Sequence, residues 1–271
     1  MILECLDLLY VYYFQKMMDT TSSNINNKDK DIRSLYFQIE IRKNLGKLIR
    51  ILIFYPKISK HQLMMNMLNL SINEYKEVLQ KKEQQFKKEY DNITQCLDIL
   101  ELFSIITLEQ KEKKLLIIFN DVEWEKKFNE AYTFLYNKFS ENIVLLKKNV
   151  AYICSKKCNT NIYTDLWITQ SNMKCENNHP LVLIDKKEKN EIINKFEFDF
   201  NMLKTISSPK VIINKIKEQY NIFEKDKSKD SVLSSSSISL NEEKSVLSSK
   251  NEVYIYLEHI NHMFINTMIW R

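Results

Sequence analysis

The sequence predicts a mostly helical protein with small β elements, and three observations support this fold class. Apolar residues recur at helical spacing over several long stretches of the chain. Two apolar runs flank a charged turn near residue 110, a pattern typical of a β-hairpin. Paired cysteine and histidine residues frame a β-type segment between Tyr152 and Ile184. We therefore expect several helices, one hairpin and one small ribbon.

The composition excludes some classes of protein. The chain has 271 residues, of which 44% are hydrophobic, so it can form one or two cores. It contains a single glycine, Gly46. Phosphate-binding loops need several glycines, so the nucleotide-binding enzymes that use such loops are excluded. Cys5 and Cys96 are isolated and the other three cysteines are clustered, which indicates a reducing cytosol or nucleus rather than a disulfide framework.

Residues 1–31 are predicted to be an apolar segment followed by a polar linker. The apolar part carries Glu4 and Asp7 and lacks a basic start and a cleavage site, so a signal peptide is not expected. It is also too short and too charged to span a membrane. We expect a short helix that packs on the body or on a partner, with residues 21–31 as the linker.

One longer helix and two short helices are predicted next. Apolar residues recur at helical spacing from residue 32, and Pro56 ends the first helix. Ser59 is a good N-cap for the second helix, and Ser71 with Glu74 forms a capping box that opens the third. The residues expected in the core of the two short helices are Leu63, Met64, Met67, Leu68, Tyr75, Val78 and Leu79.

The apolar runs 104–108 and 115–119 flank a charged turn and predict a hairpin. Two short helices joined by a tight turn, after a longer helix and before a hairpin, are typical of a winged helix-turn-helix domain. We expect this domain over residues 32–121, with an insertion near 80–98 whose form the sequence leaves open. Asp121 then caps a long connecting helix over 122–150. Its apolar stripe predicts a core or partner surface and consists of Trp124, Phe128, Ala131, Leu135, Phe139, Ile143 and Leu146.

A metal-clamped ribbon is predicted over residues 151–186. Cys154 with Cys158, and Cys175 with His179, form two close pairs of ligands. Thiolate and imidazole donors suit one Zn²⁺ ion, and a ribbon of this size needs such a clamp because it buries little apolar surface. Both pairs have three residues between them, where two are commoner, so a ribbon that has lost its ion and kept its fold remains an alternative.

Three segments are predicted after the ribbon. Residues 187–223 are expected to form a helical extension, with a short helix from Val211 to Tyr220. Residues 224–250 are rich in serine and are predicted to be a disordered linker. Residues 251–271 carry an amphipathic pattern, so we expect a terminal helix that either folds back on the body or binds a partner.

The order of these parts resembles the alpha subunit of general transcription factor IIE and its archaeal relatives. The resemblance spans about 32–206. The ordered combination of parts is a much more specific signal of the family than any one part alone. It is carried by KHQLMMNMLNLSINEYKEVL (60–79), LLIIFNDVEWEKKFNEAYTFLYNKF (115–139), YICSKKCNTNIYTDL (152–166), MKCENNHPLV (173–182) and KFEFDFNMLKTI (195–206).

The resemblance implies metal ligands, with one departure. Cys154, Cys158 and Cys175 match the ligands of that family, whose knuckles are C-x-x-C. Asn178 stands where the fourth ligand would be, and His179 is the nearby donor that could replace it. We therefore expect Cys154, Cys158, Cys175 and His179 to hold one zinc ion.

The resemblance also implies a function. It implies a nuclear, non-enzymatic subunit that supports assembly of the RNA polymerase II pre-initiation complex and promoter opening. The implied partners are RNA polymerase II, a beta-like subunit of general transcription factor IIE and general transcription factor IIH. Promoter DNA is expected to bind weakly, and no membrane is expected as a partner.

Charge and missing motifs complete the expectations. Lys76, Lys81 and Lys82 lie on or just after the third predicted helix and are candidates for nucleic-acid or polymerase docking, although a solvated helix face explains them equally well. The motifs of zinc hydrolases and deaminases are missing, so we expect no catalytic residues. A winged-helix subunit of another RNA polymerase, or a DNA-binding transcription regulator, is the alternative function.

Overall fold

The computed structural model describes residues 1–20, 35–81, 84–112, 114–156, 162–164, 173–175 and 177–230. In these ranges the protein is mostly helical with two small antiparallel sheets, which confirms the predicted fold class at this level. The predicted linker at 21–31, the serine-rich residues 231–250 and the predicted terminal helix at 251–271 lie outside the described residues. None of the described helices is long and apolar enough to cross a membrane.

The elements fall into two compact units. The first covers the described residues of Met1–Asn129 and Ser207–Ser239, and the second covers those of Glu130–Ile206. In chain order the elements are α1 (Ile2–Thr20), α2 (Ile39–Phe54), β1 (Lys57–Ser59), α3 (Lys60–Leu68), α4 (Ile72–Lys81), α5 (Gln84–Leu102), β2 (Ile106–Lys111), β3 (Lys114–Phe119), α6 (Asp121–Lys148), β4 (Ala151–Cys154), β5 (Tyr163–Thr164), β6 (Leu181–Leu183), α7 (Lys186–Thr205) and α8 (Pro209–Asp230).

Helix α1 packs on the body of the first unit, as the sequence predicts. Its apolar side chains are buried, and so is Asp7, whose side chain is 5% exposed. The Asp7 carboxylate accepts hydrogen bonds from Tyr36 Oη at 2.6 Å and from two Arg42 nitrogens at 2.5 and 2.9 Å. Because each of these polar groups is buried, each needs the others as partners. This network fixes α1 against α2, through Arg42, and against Tyr36 just before that helix.

The first sheet has the strand order β1-β3-β2, and all pairs are antiparallel. The β2–β3 pairing runs from Ile106 opposite Phe119 to Lys111 opposite Lys114, which confirms the predicted hairpin. Near its tip, Glu112 adopts a left-handed backbone with φ 53°. The sequence does not predict β1, because three residues are too few to show a period.

The predicted helix starts of α3 and α4 are confirmed by their hydrogen bonds. Ser59 Oγ accepts from the Gln62 N–H at 3.3 Å. The Ser71 N–H donates to Glu74 Oε2 at 2.8 Å and the Glu74 N–H donates to Ser71 Oγ at 3.4 Å, which forms the expected capping box. Between the two helices Asn69 takes a left-handed conformation with φ 54°, as is common for asparagine in a turn.

The prediction that Leu79 lies in the core is wrong. Its side chain is 43% exposed, and Val78 is half-buried. All of α4 is described, and Tyr75 alone among its side chains is fully buried. In contrast, Leu63, Met64 and Met67 of α3 are buried as predicted, and Leu68 is half-buried. Periodicity identifies the apolar face of a helix but not whether another element covers it.

The region near 80–98, for which the sequence predicted no particular structure, consists largely of the helix α5. Its buried side chains face the core, and α5 packs against α2. The Cys96 thiol donates to the Ile41 carbonyl of α2 at 3.5 Å. This helix is therefore part of the first core rather than a peripheral insertion. The buried residues on its inner face are Ile93, Cys96, Leu97, Ile99 and Leu100.

Helix α6 confirms the predicted long helix. Every residue of its predicted stripe, from Trp124 to Leu146, is buried. In the second unit α6 is followed by a sheet of order β5-β4-β6, then by α7. Helix α8 is longer than predicted, because residues 224–230, expected to belong to the linker, are helical.

Candidate metal centre

Cys154 is the last residue of β4, the central strand of the second sheet. Cys154 lies opposite Leu181 of β6 in the antiparallel register, while the start of β4 pairs with β5. The Ser155 N–H donates to the Pro180 carbonyl at 2.9 Å, which continues this pairing past the end of β4. The Cys154 side chain is fully buried and contacts Cys175 and Leu181 in a small cluster, against which Tyr152 packs.

The second pair of donors lies on a tight turn between Cys175 and His179. The Cys175 N–H donates to the His179 carbonyl at 2.8 Å, and the Asn178 N–H donates to the Cys175 carbonyl at 2.8 Å. Asn178 has φ 63°, a left-handed conformation that asparagine tolerates better than most residues. The Leu181 N–H donates to the Met173 carbonyl at 2.9 Å, so the two arms of the turn are held together.

Three donor atoms converge between these elements. The ligand atoms of Cys154, Cys175 and His179 all lie within 4.8 Å of one another. Cys154 Sγ lies 3.8 Å from His179 Nδ1. A sulfur and a nitrogen that bind one tetrahedral zinc ion are about 3.6 Å apart, given the usual bond lengths. The two thiols are buried and the imidazole is half-buried, so this cluster could hold a metal ion.

The structure brings together three of the four predicted ligands. Cys158 lies outside the described residues. Asn178, which stands where the resemblance places the fourth ligand, is exposed and forms the turn instead, while His179 joins the cluster. The candidate site is therefore built from one strand end and one turn.

The predicted docking residues lie in the first unit. Lys76 and Lys81 are exposed on α4, and Lys82 lies outside the described residues. Lys81 Nζ is 3.6 Å from Glu77 Oε2 in an exposed ion pair, which contributes little to stability. Ile72 and Leu79 on the same helix are 61% and 43% exposed. Helix α4 therefore presents both lysines and apolar side chains to solvent.

Two further described cysteines differ from those of the cluster. Burial raises the pKa of the Cys5 thiol well above its usual value. Burial also raises the pKa of the Cys96 thiol, to about 12. Because both thiols are buried and stay protonated well above neutral pH, neither is activated as a nucleophile. Cys5 and Cys96 are thus core residues of the first unit.

Two buried polar residues of the second unit were not singled out from the sequence. Asp199 on α7 is 1% exposed, and Asn142 on α6 is 6% exposed. The Asn142 Nδ2 makes no hydrogen bond with any described residue. The available signal was the spacing of Asp199, which lies one helical turn from both Phe196 and Leu203 on the apolar face of α7.

Neither a protein-family model nor a curated protein matches the chain. The fold and the site therefore define only a broad class of protein. Over its described residues the chain is mostly helical with two small antiparallel sheets, and the second sheet carries a Cys/His cluster that could hold a metal ion.

Proposed function

We propose that this protein is a subunit of the basal transcription initiation machinery, similar to the alpha subunit of general transcription factor IIE. The order of elements in the first unit carries the proposal. The longer helix α2 precedes the pair α3 and α4, the β2–β3 hairpin follows after the intervening helix α5, and β1 adds a third strand. This order supports a winged helix-turn-helix domain, which is the first part of the resemblance.

The second unit supports the other part of the resemblance, a zinc ribbon. Cys154, Cys175 and His179 would hold a zinc ion together with Cys158, the fourth ligand expected from the sequence. Four protein ligands close a site to substrate, so the ion would act as a structural cross-link. It would join the end of β4 to the turn before β6.

The exposed helix α4 is the surface that we assign to docking on RNA polymerase II. Between Ile72 and Lys81 the two lysines are matched by two glutamates, so the helix lacks the positive excess that favours a phosphate backbone. Exposed Ile72 and Leu79 instead favour a protein surface that can cover them. Promoter DNA is then a weak partner, and the cell nucleus is the expected location.

Co-purification of the full chain tests the function. The native protein should capture RNA polymerase II, a beta-like subunit and general transcription factor IIH. The double variant Leu79→Asp with Lys81→Glu should lose at least ten-fold of the polymerase capture while its melting temperature stays unchanged. Lys215→Glu, an exposed change on α8, is the control and should capture normally.

A gel shift distinguishes the proposed function from the alternative, a DNA-binding regulator. Tight binding to one duplex over random DNA, without capture of RNA polymerase II, would favour a DNA-binding regulator. Capture of a different RNA polymerase would place the subunit in that enzyme's machinery. Equal polymerase capture by the double variant and the native chain would remove α4 from the docking surface.

A further inference from the structure

The distance between Cys154 and His179 distinguishes the two nitrogens of the imidazole ring. If Nδ1 and the Cys154 sulfur bind one zinc ion, the two atoms are about 3.6 Å apart. If Nε2 binds the ion instead, Nδ1 lies across the ring, about 4 Å from the metal and about 5 Å from the sulfur. The observed separation is 3.8 Å. It fits binding through Nδ1.

The turn that contains His179 explains how this residue reaches the cluster. Residues 175 and 179 are paired by a hydrogen bond from the Cys175 N–H to the His179 carbonyl. Their side chains therefore leave the same short loop and reach the same place. Asn178, one residue earlier, has its φ of 63° and is exposed. The left-handed residue thus takes the position at which a C-x-x-C knuckle has its second ligand.

We propose that His179 binds the metal through Nδ1, and that the left-handed turn at Asn178 moves the last ligand one residue along the chain. This assignment rests on the metal centre of the proposed function and adds the binding atom and its cause. An imidazole bound at Nδ1 carries its proton on Nε2, which becomes a hydrogen-bond donor at the half-buried edge of the site. A neutral imidazole also makes the centre less negative than four thiolates would.

Nuclear magnetic resonance of the full chain loaded with ¹¹³Cd²⁺ tests the binding atom. Long-range ¹H–¹⁵N spectra should show cadmium coupling to Nδ1 of one histidine and a proton on its Nε2. The chain has four histidines, so variants assign the signal. His179→Asn should remove the coupled signal, whereas His61→Asn, an exposed change on α3, should retain it.

The outcomes separate this assignment from the metal centre itself. Cadmium coupling to Nε2, or binding without coupling to any histidine, overturns the assignment and leaves the metal centre in place. Failure of the native chain to bind Cd²⁺ or Zn²⁺ overturns both. Neither result depends on whether RNA polymerase II is captured, so the transcriptional function is tested separately.

Substitutions at Asn178 test the cause of the shift. Asn178→Gly keeps a residue that accepts the left-handed conformation, so zinc affinity should stay within about two-fold. Asn178→Val removes no ligand but disfavours that conformation, and zinc affinity should fall about ten-fold. Equal affinities of the two variants would contradict the role of the turn.

Moving the last donor by one residue gives a second test of the role of the turn. In the double variant Asn178→Cys with His179→Asn, the last donor returns to the C-x-x-C position. If the turn at Asn178 determines which position carries the last ligand, this variant should bind Zn²⁺ more weakly than the native chain. Native affinity in the double variant would show that position 178 serves equally well and would overturn the proposal.

Discussion

The two sheets in the part of the chain that the structure describes have three strands each but different surroundings. In the first sheet, the hairpin strands β2 and β3 have six residues each, and Phe119 of β3 packs against the fully buried Trp124. In the second sheet the strands have four, two and three residues. Its local cluster consists of Cys154, Cys175 and Leu181, with Tyr152 against it.

The energies of burial show what this difference means. Each fully buried aliphatic side chain contributes about 1.5–3 kcal/mol. A cluster of three small or medium side chains therefore contributes a few kcal/mol, while ordering each residue costs about 1–2 kcal/mol in backbone entropy. The first sheet thus gains more from local burial, and we expect the second to depend on a cross-link. A metal ion at Cys154, Cys175 and His179 would supply that cross-link.

Metal removal should give the largest difference between the two sheets. Structural zinc contributes about 10–16 kcal/mol of apparent binding energy in small zinc peptides. After chelation, hydrogen exchange should become fast in β4 and β6 and remain slow in β2 and β3. Cys154→Ser should reproduce this loss, and Cys96→Ser, a change at a buried thiol of the first unit, is the control. Unchanged protection of β4 after chelation would show that the ribbon is stable without an ion.

Loss of the Asp7 carboxylate should have the next largest effect, and only in the first unit. Asp7→Ala leaves the buried Arg42 guanidinium without its partner, and breaking such a pair costs about 3–5 kcal/mol. Chemical denaturation of the full chain should record this cost. Glu4→Ala on the same helix removes an exposed acid and should change stability by less than about 0.5 kcal/mol. Similar costs for both variants would mean that α1 does not depend on the network.

A pair of leucine substitutions tests how sharply the first core ends. Leu63 on α3 is fully buried, so Leu63→Ala should cost about 2–5 kcal/mol. Leu79 on α4 is 43% exposed, and Leu79→Ala should cost about 0.5 kcal/mol. Urea denaturation of both variants measures the difference. A cost above about 2 kcal/mol for Leu79→Ala would restore the original expectation that α4 is packed in the core.

High pH should lower the stability of the first unit through the buried Cys96 thiol. The pKa of Cys96 rises from 9.0 to about 12, so between these values the unfolded chain releases a proton that the folded chain keeps. The stability contribution is complete below pH 9 and is lost as pH rises toward 12, by about 1.4 kcal/mol per pH unit. Denaturation at pH 8 and pH 10.5 should show this fall. In Cys96→Ala, the loss of unfolding free energy between these two pH values should be smaller than in the native chain by about 2 kcal/mol. Equal losses in the two proteins would contradict the prediction.

The features that the sequence predicted well are local. The N-cap at Ser59, the capping box of Ser71 and Glu74, and the stripe of α6 follow from hydrogen bonds and periods within a few residues. The hairpin also follows from two adjacent apolar runs and the turn between them. Part of the Cys/His cluster was predictable because cysteine and histidine are rare in this chain and Cys175 and His179 are only four positions apart.

The features that the sequence did not predict depend on partners far away in the chain. Strand β1 exists because β3, more than fifty residues later, pairs with it. The burial of Asp7 depends on Tyr36 and Arg42. The exposure of Leu79 depends on what does or does not cover α4. None of these can be read from a period of two or 3.6 residues.

By itself, the sequence determined most of the helices apart from α5, the hairpin and the types of the candidate metal donors, because short-range propensity and side-chain chemistry decide them. Only the tertiary structure decided which apolar faces are covered. It also placed His179, which the sequence had named as the expected fourth donor, within reach of Cys154 and Cys175. The physical reason is that burial and coordination depend on distances between segments. Those distances are set when β4, β6 and the turn at Asn178 come together.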